Sequence, residues 1–242
     1  MTTSIPPNTI RLAKRLAEQL PCSRQEAEQY IVSGWVTVDN QVTEEPGYRV
    51  QPHQSIALLP QASLTAIVPI TLLVHKPAGV DVNALIGTIN PQTLMANDRS
   101  GHRFLKRHIQ DLTCTDALET TASGLLIFTQ DWHISRKLID DAAKVEQEHI
   151  IEVAGKLTPG GLTLLNHGLA FNGRALPPCK VSWQNETRLR FAVKGVQPSQ
   201  LTNMCEQVGL SVVTQKRIRI GRIPLSNLPV GQWRYLLGYE RF

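Results

Sequence analysis

The sequence predicts an α+β protein made of two units, a small helical one at the N-terminus and a larger one of strands interleaved with short helices. Three observations carry this. Leu12, Leu16 and Leu20 recur every four positions at the start of the chain. Strand-like apolar runs alternate with short helical patterns beyond residue 70. Between them, Pro60 to Pro69 is bracketed by prolines and has no amphipathic pattern. The expected organisation is a first domain over 1–60, a linker over 61–69 and a second domain over 70–242.

The leucine spacing predicts a first helix from Ile10 to Leu20, with Arg11, Lys14 and Arg15 on another face. Pro21 ends it, and Ser23 with Glu26 forms a Ser-x-x-Glu capping box for a second helix running to Ser33 and stopped by Gly34. Trp35-Val-Thr-Val-Asp, a turn at Asn40-Gln41, Tyr48-Arg-Val and Ser55-Ile-Ala-Leu-Leu then predict a small sheet. In the second unit, strands are expected at Thr71–His75, Gly124–Thr129, His149–Val153, Leu189–Val193 and Ser211–Thr214. Helices are expected at Ile134–Asp141, Gly160–His167 and Gln200–Val208. Val82 to Gln110 is poorly patterned and ends in a basic cluster that includes Arg103, Lys106 and Arg107. It reads either as a flexible basic loop that closes over a ligand or as a surface insertion.

Composition narrows the function. With 42% hydrophobic and 19% charged residues the chain has material for a packed core and too little charge for disorder. No run approaches the ~18 apolar residues of a membrane span, and the start lacks the regions of a signal peptide, so a cytoplasmic protein is expected. Cys22, Cys114, Cys179 and Cys205 lie far apart without a Cys-x-x-Cys pair, and no metal site or disulfide framework is signalled. No glycine-rich phosphate loop or nucleophile elbow is present, and no cofactor is expected. The net charge is +5, but residues 180–242 carry ten basic and three acidic groups. Such an excess suits a polyanion, of which nucleic acid is the usual one.

Arg11-Leu-Ala-Lys-Arg-Leu, Cys22-Ser-Arg-Gln-Glu-Ala-Glu-Gln-Tyr-Ile and Gly34-Trp-Val-Thr-Val-Asp-Asn together resemble the αL (S-four-type) RNA-binding module. The resemblance implies RNA contact by Arg11, Lys14, Arg15 and Arg24; Arg103, Lys106 and Arg107 of the basic cluster are further candidate RNA contacts by their charge. Five further blocks occur in order: Val74-His-Lys-Pro-Ala-Gly-Val, Ser123-Gly-Leu-Leu-Ile-Phe-Thr-Gln-Asp, Val145-Glu-Gln-Glu-His-Ile-Ile-Glu-Val, Met204-Cys-Glu-Gln-Val-Gly, and Arg217-Ile-Arg-Ile-Gly through Leu228-Pro-Val-Gly-Gln-Trp-Arg. They are similar to bacterial ribosomal-RNA pseudouridine synthases of the RsuA, RluB, RluE and RluF-like branch. That resemblance implies a mainly antiparallel central sheet flanked by helices and a cofactor-free isomerase acting on a uridine flipped out of structured RNA. The implied partner is ribosomal RNA. No protein partner is inferable, and a monomer is expected.

The chemistry-bearing positions depart from that family's pattern. Its signature reads Gly-Arg-Leu-Asp-x-Asp-Thr-x-Gly-Leu, with the first Asp as nucleophile. Aligned through Ser123-Gly124-Leu125, this chain has Glu119 at the nucleophile and Ala117 at the preceding Arg. Asp116, on an extended strand, is expected to point to the face opposite Glu119. His149 replaces the tyrosine that packs on the target base, and an imidazole both stacks and moves protons near neutral pH. Thr202 and Asn203 stand where arginines would support the carboxylate. The residues therefore predict impaired or absent activity. Two readings stay open: Glu119 is a working nucleophile in a remodelled pocket, or the chain is a silent RNA-binding relative acting on ribosomal RNA or ribosome assembly.

Overall fold

The computed structural model describes residues 9–116 and 118–242. Ala117, at the position of the family's arginine, lies outside the described residues. The chain divides into two compact units, one comprising Met1–Val68 with Arg103–Gln110 and the other Pro69–His102 with Asp111–Phe242.

In the first unit, α1 (Leu12–Gln19) and α2 (Arg24–Val32) pack together through Leu12, Ala13, Leu16, Ala27 and Ile31. Ser23 starts α2 as its spacing predicts: its Oγ accepts the Glu26 N–H at 3.2 Å, and its own N–H reaches the Glu26 carboxylate at 2.7 Å. Gly34 adopts φ +68° directly after the helix. The following hairpin joins β1 (Val36–Val38) to β2 (Gln41–Val42), and β3 (Ile56–Leu58) completes a sheet whose Val36 and Val38 face the helices. The turn residues are Asp39 and Asn40, with φ of 50° and 67°, one position earlier than the sequence suggests. Two consecutive left-handed residues make a type I′ turn, whose twist matches that of its strands, and Asp and Asn tolerate that conformation best after glycine.

The basic cluster is not an unstructured loop. Residues 106–109 form a 3-10 helix, and Arg103–Gln110 packs within the first unit. The Arg103 guanidinium donates to the Ser33 and Gly34 carbonyls at 3.0 and 2.7 Å, at the C-cap of α2 and one residue beyond, and lies 5.0 Å over the Trp35 ring. A Cβ on Gly34 would come within 2.3 Å of that guanidinium, so the glycine serves both the helix stop and the docking. Lys106 pairs with Glu45 at 2.8 Å, both side chains being exposed.

The second unit is a mixed sheet with the order β7 (Lys180–Trp183), β8 (Arg188–Lys194), β6 (Glu146–Gly155), β9 (Leu210–Ile220), β5 (Ser123–Thr129), β4 (Thr71–Lys76) and β10 (Trp233–Tyr235). Two short strands, Thr113–Cys114 and Ile223–Pro224, attach to β5 and β9. All pairs are antiparallel except β9 with β5. Helix α3 (Val82–Ile86) lies in the poorly patterned stretch. On one half of the sheet, α5 (Gly161–Asn166) and α6 (Gln200–Gln207) cover a core of Ile151, Val153, Leu189, Phe191, Leu201 and Met204. On the other, α4 (Trp132–Ile139) contributes Leu138 to a core with Leu73, Leu125 and Ile127. The five anticipated strands and three anticipated helices are present. β6 and β9 extend well past their apolar centres because polar residues on them face the cleft described below.

Arg103→Ala is expected to lower the stability of the full chain in urea by about 1–2 kcal/mol, through loss of two charge-assisted hydrogen bonds and the ring contact. Lys106→Ala, which removes only an exposed ion pair, is expected to leave the midpoint essentially unchanged. Equal effects of the two would contradict the structural role given to Arg103.

Candidate functional site

A narrow cleft of about 170 Å³ opens beside the parallel β9–β5 pair, lined by Asp116, Leu118, Glu119, Gln147, His149, Val196, Gln197, Pro198, Gln215 and Arg217. Strand alternation puts Gln147 and His149 on one face of β6, and pairing opposite His149 brings Arg217 of β9 alongside. Its size suits one flat base better than a whole nucleotide, since drug-sized ligands need about 300 Å³ or more.

At its base, Arg217 is fully buried and every arm of its guanidinium is used. Nε donates to the Leu125 carbonyl at 2.8 Å, Nη1 to Asp116 Oδ2 at 2.9 Å, and Nη2 to the Asp116 carbonyl at 2.8 Å. Gln147 Nε2 also donates to Asp116 Oδ2. Desolvation pushes the guanidinium below its ordinary value, and the Asp116 carboxylate opposes that push. The other carboxylate oxygen, Oδ1, accepts no hydrogen bond among the described residues.

Backbone constraints bring Arg217 there. Gly124 pairs with Arg217 across the parallel junction at φ +113°, and a Cβ on it would lie 2.2 Å from the Arg217 carbonyl oxygen. Only glycine permits that approach. Lys76, with no exposed surface, donates from Nζ to the carbonyls of Pro77, Thr120 and Ala122 at 3.1, 3.0 and 2.7 Å. The Gly79 N–H adds a 2.7 Å bond to the Thr120 carbonyl. The Lys76-Pro77-Ala78-Gly79 turn therefore clamps the chain just beyond Glu119.

One sequence expectation is corrected by this geometry. Asp116 does not point away from Glu119: it sits in a bend, and neither it nor Glu119 lies in a strand, so alternation does not apply and both residues line the cleft. Glu119 has no cationic partner among the described residues, in line with Thr202 and Asn203 standing in the arginines' places, whereas Arg217 of β9 pairs with Asp116. Glu119 is held differently, its Oε1 accepting the Ser199 N–H at 2.5 Å just ahead of α6. Gln147 and Arg217 stand in the quoted blocks, yet only the three-dimensional pairing of β6 with β9 shows that they serve Asp116.

His149 does not act as a proton shuttle near neutral pH. Burial, with Arg217 adding to it, lowers its pKa to about 3. Its Nε2 meets Gln147 Oε1 at 3.2 Å, which places the proton on Nε2, and Nδ1 is a buried acceptor without a partner among the described residues.

The predicted RNA contacts lie in the first unit. Arg11, Lys14 and Arg24 are exposed and Arg15 is half-buried. Lys14 sits 3.9 Å from Glu18, Arg24 pairs with Glu28 at 3.2 Å, and Arg15 reaches the Pro52 carbonyl at 3.4 Å. Arg103 and Lys106 hold the contacts given above, and Arg107 follows them in the 3-10 helix. Half of the basic residues of the C-terminal segment are paired: Arg188, Arg190, Arg217, Arg219 and Arg234 pair with Glu152, Glu148, Asp116, Glu146 with Glu148, and Glu240. Glu148 shows the effect, since burial raises its pKa but hydrogen bonds from Arg219 and Arg190 bring it below the ordinary value.

A pH dependence follows from His149. The unfolded chain takes up a proton on this residue near 6.5 and the folded chain only near 3, so stability falls as pH drops through that window. Between pH 8 and pH 5 the loss is about 2 kcal/mol. In urea titrations His149→Phe is expected to lose that much less than the unsubstituted chain over the same interval. Parallel acid limbs would show that His149 is not buried neutral.

The S4 domain family model matches residues 10–56. Over 240 residues the chain is 24% identical to the dual-specificity RNA pseudouridine synthase RluF of Escherichia coli K12, spanning 98% of this chain and 78% of that one. It is 28% identical over 234 residues to ribosomal small subunit pseudouridine synthase A of Vibrio cholerae, spanning 96% and 97%. The solved structure of a pseudouridylate synthase superposes with a TM-score of 0.58 at 17% identity, covering 94% of this chain and 96% of that one. The chain thus carries an S4 domain and is homologous over nearly its whole length to RNA pseudouridine synthases of the RluF and RsuA type, on whose fold it is built.

Proposed function

We propose that the protein binds structured RNA, with ribosomal RNA as the leading class, and isomerises a uridine in it to pseudouridine with Asp116, not Glu119, as the reacting carboxylate. The observation that carries this is the Asp116–Arg217 ion pair at the base of the cleft. A buried ion pair gains little stability over apolar packing, and a charge pair lining a cleft is the usual mark of a reacting site. In the isomerisation the C1′–N1 bond breaks, the C1′–C5 bond forms, C5 gives up a proton and N1 gains one. The composition is unchanged and no cofactor is needed.

Asp116 Oδ1 is the atom available to react, because Arg217 and Gln147 engage Oδ2. Glu119 is a positioning residue that ties the Val196–Ser199 wall of the cleft to the carboxylate segment through the Ser199 N–H. His149, neutral, offers its ring and an unpartnered Nδ1 acceptor to the base. The S4 domain, with Arg11, Lys14, Arg15 and Arg24, supplies sequence-independent phosphate contacts.

A second reading has its own support. Glu119, at the family's nucleophile position, is already bonded to backbone, and the stacking tyrosine is replaced by His149. A silent RNA-binding relative would show both features.

Mapping pseudouridine in ribosomal RNA from cells with and without the gene, and in RNA treated with purified protein, separates the readings. Under the proposal one site disappears with the gene. Asp116→Asn then lowers the rate at least ~10³-fold, whereas Glu119→Gln costs about tenfold. Restoration by D116N but not by E119Q would return the chemistry to Glu119, and an unchanged map would establish the silent reading. If Arg11, Lys14 and Arg15 replaced together leave RNA affinity and its salt dependence unaltered, the S4 domain does not make the phosphate contacts assigned to it.

A further inference from the structure

A second concavity lies in the larger unit, outside the cleft. It is a groove of about 550 Å³ between α4 and the ends of β6 and β9. Glu146 lines this groove and the next residue, Gln147, lines the cleft, so the two sites lie on opposite sides of one strand.

The groove combines a flat exposed ring with unspent cations. Trp132, at the start of α4, is 59% exposed, and its ring lies 3.9 Å from that of His133 at an interplanar angle of 32°. A large aromatic kept in water at a helix start contributes little to a core and much to a stacking surface. Both carboxylates in the groove are already neutralised, Asp141 by Lys144 at 2.7 Å and Glu146 by Arg219 at 2.6 Å. Arg136 and Arg222 also line it, and neither guanidinium makes a hydrogen bond or ion pair among the described residues, although Arg136 adds to the field that lowers the Asp141 pKa. While most arginines of the C-terminal segment are tied to carboxylates, Arg222 is not.

We propose that this groove binds a single-stranded nucleotide of RNA flanking the folded target, its base stacked on Trp132 and its phosphate held by Arg136 and Arg222. An indole face accepts any base, and a guanidinium fork matches a phosphate, which together make the usual sequence-tolerant single-strand site. The charge surplus, once the carboxylates are counted as paired, is complementary to a phosphate backbone and opposed to an acidic-residue-poor apolar partner. The inference rests on the RNA-binding reading above.

The test uses the full chain and two labelled RNAs, a stem-loop alone and the same stem-loop with a ten-nucleotide oligouridylate flank. The flanked RNA is expected to bind more tightly. Trp132→Ala, and separately Arg136→Ala with Arg222→Ala, each weaken the flanked RNA by about fivefold to a hundredfold, the range that loss of one base–aromatic stack gives. Affinity for the bare stem-loop stays unchanged, and Trp132→Phe recovers most of the loss. If the unsubstituted chain binds both RNAs equally and the variants match it, the groove assignment is wrong while the RNA reading stands. If neither RNA binds, both fall. A chain that sediments as a dimer and becomes a monomer as W132A would give the groove to a second copy of itself and overturn the proposal.

Discussion

Arg217 is the residue around which the larger unit is arranged. A guanidinium without exposed surface is costly unless every donor is matched, and its removal would leave the Asp116 carboxylate without its partner. The fold supplies those matches from three directions: the Leu125 carbonyl on β5, the Asp116 carboxylate and carbonyl on an irregular segment, and Gln147 on β6. The parallel approach of β9 to β5 is possible only because Gly124 has no side chain. Lys76 then fixes the segment that carries Asp116 and Glu119 by holding its carbonyls at 120 and 122. The site is thus a set of backbone constraints converging on one charge pair.

Much of the scaffold is legible in the sequence because it follows from local rules. The Ser23–Glu26 capping box, the Gly34 stop, the leucine stripe of α1 and the apolar runs of β4, β5 and β8 each depend on neighbours a few residues away. The site is not legible in that way. The pairing of Arg217 with Asp116 spans 101 positions and depends on a parallel strand junction, which periodicity does not reveal. Strand alternation puts Asp116 on the face opposite Glu119 only where the chain is extended, and at Asp116 it bends. Ser123-Gly124-Leu125 and Lys76-Pro77-Ala78-Gly79 are visible as motifs, but their purpose, close backbone approach and carbonyl clamping, emerges only when the partners are in place.

Charge behaves similarly. Counting along the chain locates a basic excess in the last 63 residues, yet five of its ten cations neutralise carboxylates within the larger unit. Arg103, which looks like a loop cation in sequence, completes the C-terminus of α2. Among the described residues, the cations left without an ion pair include Arg11 and Arg15 of the S4 domain, Lys180, Lys194 and Lys216, and the guanidiniums beside Trp132. Segment totals therefore count cations without showing which of them are already paired.

The account depends on Asp116 and Arg217 acting as one unit, and a double-mutant cycle in urea denaturation measures that directly. With Asp116→Asn, Arg217→Met and the pair combined, a coupling energy of about 2–3 kcal/mol is predicted, because Asp116→Asn strands the buried Arg217 guanidinium without its counter-charge. A coupling within about 0.5 kcal/mol of zero would show that the two residues are independent and that the charge pair does not organise the cleft.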